Sequence, residues 1–169
     1  MLLKVISGGQ VGADQGGLAA AHGLHITTGG WAPKRFRTLY GSNIALGLLG
    51  LVEHPMWQYS CRTDCNVRDS NATIRLAYDF STPGEVCTLN AIKKHDKPYR
   101  DIQLDNLPLC FDIVDFILIN NIEILNIAGN AGRTKEESTK IFIIVKNYLT
   151  AVFRGCITNN GAIEGNLDV

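Results

Sequence analysis

The chain has 169 residues and a mass of 18.5 kDa, within reach of a single hydrophobic core, so one domain is expected. Sixteen Lys plus Arg balance sixteen Asp plus Glu, which leaves no global field favouring nucleic acid or an anionic membrane; any anion site has to be local. With 46% hydrophobic and 19% charged residues, the chain has the apolar area to fold, which excludes intrinsic disorder.

The longest apolar runs, 44–52 and 141–145, fall short of the roughly 18 residues of a membrane span. No export signal is visible, and five cysteines at irregular spacing suit a reducing compartment, so a cytoplasmic protein without membrane or nucleic-acid partners is expected. In chain order, residues 2–7 read as a short apolar strand, interrupted at once by Gly8-Gly9-Gln10-Val11-Gly12. Alanine-rich residues 13–22 follow as a helix. Residues 25–28, β-branched and ending in Gly29-Gly30, make a second strand, and a βαβ crossover implies parallel strands with helices on the sheet faces. Between 31 and 60, Pro33, the cations Lys34, Arg35 and Arg37 and several glycines surround the apolar stretch 44–52; a long irregular loop with one short helix is expected. A polar stretch, 62–70, precedes a third strand at 72–78. Turn formers at 81–84 lead into a helix at 85–95, where Val86, Leu89, Ala91 and Ile92 can share a face. A strand at 99–104, a helix at 108–120, a strand at 123–128, the loop Gly129-Asn130-Ala131-Gly132-Arg133 and a long helix at 135–153 complete the order. Residues 154–169 have no strong period and are expected to form an irregular tail behind a single domain at 1–153. This alternation predicts a doubly wound α/β domain, its sheet mostly parallel, with helices on both faces.

Ligands of such sheets bind at the carboxyl ends of the strands. Three glycine-bearing loops fall there. Gly8, Gly9 and Gly12 let the backbone approach an anion at a helix N-terminus, although the spacing is neither the Walker sequence nor G-x-G-x-x-G. In the second loop Gly84 precedes Glu85, Thr88 would face the pocket, and Thr82 serves equally as a plain N-cap. The third loop carries Gly129 and adds Arg133, whose planar fork suits phosphate; a surface pairing with Glu136 or Glu137 is the alternative. Together the loops point to a small phosphorylated ligand. Asp14, in the first turn of the first helix, reads as a dipole partner as readily as an acid or base. Cys61 and Cys65 lack the further ligands a zinc site needs, so no directly bound metal is expected, and no catalytic residue is assigned.

Several segments occur in an order that resembles the putative molybdenum carrier family: Ile6-Ser7-Gly8-Gly9-Gln10-Val11-Gly12-Ala13-Asp14, then Gly29-Gly30-Trp31-Ala32-Pro33-Lys34, then Arg62-Thr63-Asp64-Cys65-Asn66, then Leu125-Asn126-Ile127-Ala128-Gly129-Asn130-Ala131-Gly132-Arg133. That family is similar to molybdenum cofactor carrier proteins and, more distantly, to the lysine-decarboxylase-like or Lonely Guy group. The resemblance implies a Rossmann-like fold that binds molybdenum cofactor or another phosphorylated nucleotide-like ligand. It implies that Gly8, Gly9, Gln10, Gly12 and Asp14 form the main contact and that Arg62 and Asn66 are an inward-facing polar pair. It also implies a homo-oligomer, for which the apolar stretch 44–52 offers a face. Where the wider group has Gly-Gly-Thr at the second loop, this chain has Pro83-Gly84-Glu85, and the Pro-Gly-Gly-x-Gly-Thr signature of the Lonely Guy phosphoribohydrolases is not intact. The alternatives are a nucleoside-phosphate N-glycosidic hydrolase, with Asp14 or Glu85 as acid–base, and a nucleotide-sensing regulatory module.

Overall fold

A computed structural model describes the backbone of residues 1–164 and the side chains of residues 1–158. The elements are β1 (Lys4–Ser7), α1 (Ala13–His22), β2 (Thr27–Ala32), a 3₁₀ turn at Lys34–Phe36, the ribbon strands β3 (Arg37–Thr38) and β4 (Gly41–Ser42), and a second 3₁₀ turn at Ile44–Leu49. Then come β5 (Leu51–Glu53), α2 (Tyr59–Arg68), β6 (Ala72–Ala77), α3 (Pro83–His95), β7 (Tyr99–Gln103), α4 (Cys110–Ile119), β8 (Ile124–Gly129) and α5 (Lys135–Glu164).

Six strands form one sheet in the order β5-β2-β1-β8-β6-β7, and every pairing in it is parallel. The fold is Rossmann-like α/β, as the alternation of strands and helices predicts. The strand period of two separates the faces of the central strands. Ala72, Ile74 and Leu76 of β6, with Leu125 and Ile127 of β8, join the main core with α1, α4 and α5. The intervening Thr73, Arg75 and Asn126 are buried polar residues on the other face, where Asn126 donates to Thr73 at 3.2 Å and Arg75 reaches the α3 residue Glu85. On that face α2 packs on α3 through Val67, Ala91 and Ile92.

Two expectations change. The stretch 31–60 is not one loop with a short helix: it holds two 3₁₀ turns, an antiparallel ribbon and β5, which pairs with β2 as Gly30↔Leu51, Trp31↔Val52 and Ala32↔Glu53. A three-residue strand is too short to show alternation in a sequence. The second change is at the carboxyl terminus, where α5 continues through the expected irregular tail as far as Glu164, while 165–169 lie outside the described residues. Val152, Phe153 and Cys156 are buried, so the apolar stripe, not Gly155, decides where the helix goes. The stretch Lys135–Thr158 has the length and hydropathy of a membrane span, yet its Ile141, Val145, Leu149, Val152 and Phe153 are fully buried in the main core.

Candidate ligand-binding cleft

The sheet order reverses between β1 and β6, with β8 inserted between them, and a crevice at the carboxyl ends of these strands is where an open α/β sheet takes a ligand. A cleft of about 590 Å³ opens there. Its lining comes from the loops that precede α1, α3 and α5, from the first half of α2, and from Leu39 in the turn between β3 and β4. Of the residues singled out in the sequence, Gln10, Asp14, Arg62, Gly84, Thr88, Gly129 and Arg133 line it, whereas Gly8, Gly9, Gly12 and Asn66 do not.

Each of those four has a structural task. A Cβ on Gly8 would fall 1.6 Å from Arg62 Nη1, so the missing side chain is the space in which that guanidinium lies. Gly9 turns toward Leu46 and Leu51, where a Cβ would come within 2.8 Å; its demand is set by packing of the 44–51 segment. Gly12, at φ +80°, lets the first loop abut the third: a Cβ there would meet the Asn130 carbonyl oxygen at 2.5 Å. Asn66 accepts from the Trp31 N–H at 2.8 Å and donates to the Trp31 carbonyl at 3.0 Å, fastening α2 to β2. The expected inward-facing pair of Arg62 and Asn66 is thus split, because residues four apart on α2 reach different neighbours.

Three backbone donors of the first loop and the start of α1 are spent on the protein itself. Gln10 N donates to Asp14 Oδ2 at 3.1 Å, Val11 N to Gln10 Oε1 at 3.1 Å, and Ala13 N to the Asn130 carbonyl at 3.1 Å. Gln10 Oε1 also accepts from Leu39 N at 2.9 Å, holding the ribbon turn at the cleft mouth. The N-terminus of α3 is more open. Thr82 is its cap, accepting from Glu85 N at 3.5 Å, and Pro83 occupies the first turn. Gly84 faces free space, with no atom within 4 Å of where a Cβ would stand, and Thr88 donates back to the Gly84 carbonyl at 3.0 Å.

Four carboxylates and two guanidinium groups border the cleft, and the protein engages each carboxylate differently. Asp14 accepts from Gln10 N and stands 3.5 Å from Arg62 Nη1, but its complete burial outweighs that pairing and pushes the carboxyl above its ordinary range. Asp79 accepts from the N–H and hydroxyl of Ser81, which hold it low. Glu137 accepts from the Arg133 N–H at 2.7 Å as part of the cap on α5. Glu85 is pushed up to about 7 by burial, against the pull of Arg75 Nη1 at 3.8 Å, and its Oε2 has no hydrogen-bond partner among the described residues. On the cationic side, Arg62 is largely buried and its Nε is likewise without a partner. The Arg133 side chain is exposed and makes no ion pair among the described residues; only its backbone meets Glu137. Asn130, named in the sequence only as a member of the third glycine loop, joins all three loops: its carbonyl accepts from Ala13 N at 3.1 Å, its Oδ1 accepts from Tyr78 N at 2.8 Å and Asp79 N at 3.2 Å, and its Nδ2 reaches Glu85 Oε1 at 3.5 Å. Its only signal in the sequence is an asparagine inside a glycine turn.

No group of three or more potential metal-binding side chains occurs among the described residues. No curated protein matches the chain. Among solved structures, the crystal structure of a putative molybdenum carrier protein from Syntrophus aciditrophicus SB is 32% identical, with 89% of this chain and 94% of that chain covered and a TM-score of 0.77. A model of the circularly permutated YpsA SLOG family matches residues 5–153, a span that includes β1 from Val5 on, all three loops of the cleft and α5 as far as Phe153. The chain belongs to the circularly permutated YpsA SLOG family.

Proposed function

We propose that the protein is a cytoplasmic carrier that binds molybdenum cofactor, or another phosphorylated nucleotide-like molecule, as cargo in this cleft and holds it without turnover. One observation carries the reading: the orphaned Nε of Arg62 and the open first turn of α3 at Gly84 border one cleft at the switch point of the sheet. A guanidinium donor buried without a partner is costly unless a ligand oxygen completes it, and a helix N-terminus favours a phosphate. The cleft volume lies within the range of small-molecule and cofactor sites. Arg133 adds a second fork at the mouth, Tyr59 and Tyr78 offer flat surface for a ring, and the solved relative carries the name of a molybdenum carrier.

The test is calorimetric titration with adenosine monophosphate and with isolated molybdenum cofactor. Saturable binding to the wild type is expected. Arg133 is the clean position to vary, because removing its side chain orphans no carboxylate. Arg133→Gln is expected to weaken binding by about 1.5–3 kcal/mol, and Arg133→Lys to recover only part, since an ammonium keeps the charge and loses the fork. Equal affinities in all three proteins would remove Arg133 from the site, and absence of binding to either compound would overturn the function.

Glu85 favours a second reading, N-glycosidic hydrolysis. A carboxyl held near neutrality beside the cleft has the value a general acid needs. Water would add at the anomeric carbon, the carbon–nitrogen bond would break, the base would leave with the proton of Glu85, and the proton released by the water would restore the Glu85 carboxyl. Free base released from a nucleoside monophosphate by the wild type, and lost in Glu85→Gln, would select this reading over the carrier.

A further inference from the structure

The connection from β2 to α2 carries a concentration of charge that the cleft does not use. Lys34 Nζ lies 5.3 Å from the centre of the Trp57 ring, and the guanidinium carbons of Arg35 and Arg37 each lie 5.8 Å from it. Trp57 itself is exposed. Ring faces attract cations, but three cations around one ring also repel one another. None of the three has a carboxylate within ion-pair distance among the described residues, in a chain whose formal charges sum to zero. The backbone is strained where it builds this cluster: Arg35 and Phe36 are consecutive non-glycine residues in the left-handed region, at φ +60° and +49°. Strain of this kind persists only where the surroundings impose it, and it concentrates at functional sites.

The cluster is continuous with the cleft. Arg37 lies 5.0 Å from the Tyr59 ring centre, and its Nε donates to the Tyr59 hydroxyl at 3.1 Å. Tyr59 lines the cleft, and its ring centre is 5.9 Å from the guanidinium carbon of Arg62. A file of cations therefore leads from Arg62 inside the cleft, across Tyr59, to Arg37 and on to Lys34 and Arg35. A single phosphate at Arg62 and the α3 N-terminus would leave the outer members of this file without a counter-charge.

Resting on the assignment of the cleft to a phosphorylated nucleotide-like ligand, we propose that the ligand carries a phosphate chain of two or more groups. Its first phosphate meets Arg62, its outer phosphates pass Tyr59 to Arg37, and Lys34 and Arg35 supply the field that holds them.

The probes are adenosine mono-, di- and triphosphate, titrated into the full-length protein at several salt concentrations. The wild type is expected to bind the triphosphate more tightly than the monophosphate, with a steeper loss as salt rises. Arg37→Gln is expected to weaken triphosphate binding about tenfold, as the loss of a charged hydrogen bond does, and Lys34→Gln/Arg35→Gln several-fold through the lost field. Monophosphate affinity is expected to fall several-fold less than triphosphate affinity in these variants. Neither change orphans a carboxylate, and the contacts Arg37 loses are exposed, so both variants are expected to stay folded. Equal affinity of the wild type for mono- and triphosphate, or equal losses for both in the variants, would overturn this inference and leave the cleft assignment standing. Failure of every nucleotide to bind would overturn this inference, and failure of molybdenum cofactor to bind as well would overturn the cleft assignment.

Discussion

Glu85 shows how far a fold can move one group. Its neighbour Arg75 is only 1% exposed and is already committed to Asp101, with Nε donating at 2.8 Å, so Glu85 receives only part of that charge while bearing full burial. The folded-state value of about 7 lies above the ordinary 4.5, so the folded protein keeps a proton that the unfolded chain releases between those values. Stability from this group is therefore present in full below the lower value and declines as pH rises through the upper one. At roughly 1.4 kcal/mol per unit, the decline amounts to about 3 kcal/mol. Denaturant midpoints at about pH 5 and about pH 8 measure it: the wild type is expected to lose stability over that window and Glu85→Gln to lose much less. Equal slopes in the two proteins would show that Glu85 is ionised throughout.

Helix α5 turns on a competition between propensity and packing. Gly155 lies within the helix, where glycine costs about 1 kcal/mol relative to alanine, so propensity alone predicts that Gly155→Ala stabilises the protein. Packing predicts the opposite. An alanine Cβ would stand 2.8 Å from Val114 Cγ2 of α4, a stiff side chain that is itself buried, and overpacking of a core typically costs about 1–3 kcal/mol. The second effect is the larger, so Gly155→Ala is expected to lower the denaturation midpoint while leaving ligand affinity unchanged. A raised midpoint would mean that α4 yields at this contact.

For the molecule as a whole, the unsettled surface is the one made by the 44–52 stretch. Leu46 and Leu51 pack with Leu18 and Ala32 in a small satellite core. Ile44 and Leu48, on the same segment, are 80% and 88% exposed, and Val52 in β5 is exposed too. Contiguous exposed apolar groups mark interaction surfaces, and we propose that these three meet a second copy of the chain. Sedimentation is expected to show a species larger than 18.5 kDa at micromolar concentration, and Leu48→Asp is expected to shift it toward that mass. A wild type found only at 18.5 kDa would exclude the assembly.

The residues by themselves determined the sheet-and-helix alternation and the loops that end at the cleft. Periods of two and 3.6, with glycines at strand ends, are local properties, and each depends on only a few neighbouring residues. That is why β1, α1, β6, α3 and β8 were legible close to their observed bounds. The polar stretch 62–70 was not legible as a helix. Thr63, Asn66 and Val67 form its buried face only because β2 and α3 lie beside it, and Asn66 finds its partners in a strand 35 residues away. Tertiary structure likewise decided which glycines face the ligand and which face side chains, as Gly84 and Gly9 illustrate. It also decided the protonation of Glu85 and the cluster around Trp57, since both depend on burial and on charges distant in sequence. Periodicity records which side of an element is apolar. Long-range packing alone sets what stands opposite that side, and with it the dielectric and the charge that each functional group experiences.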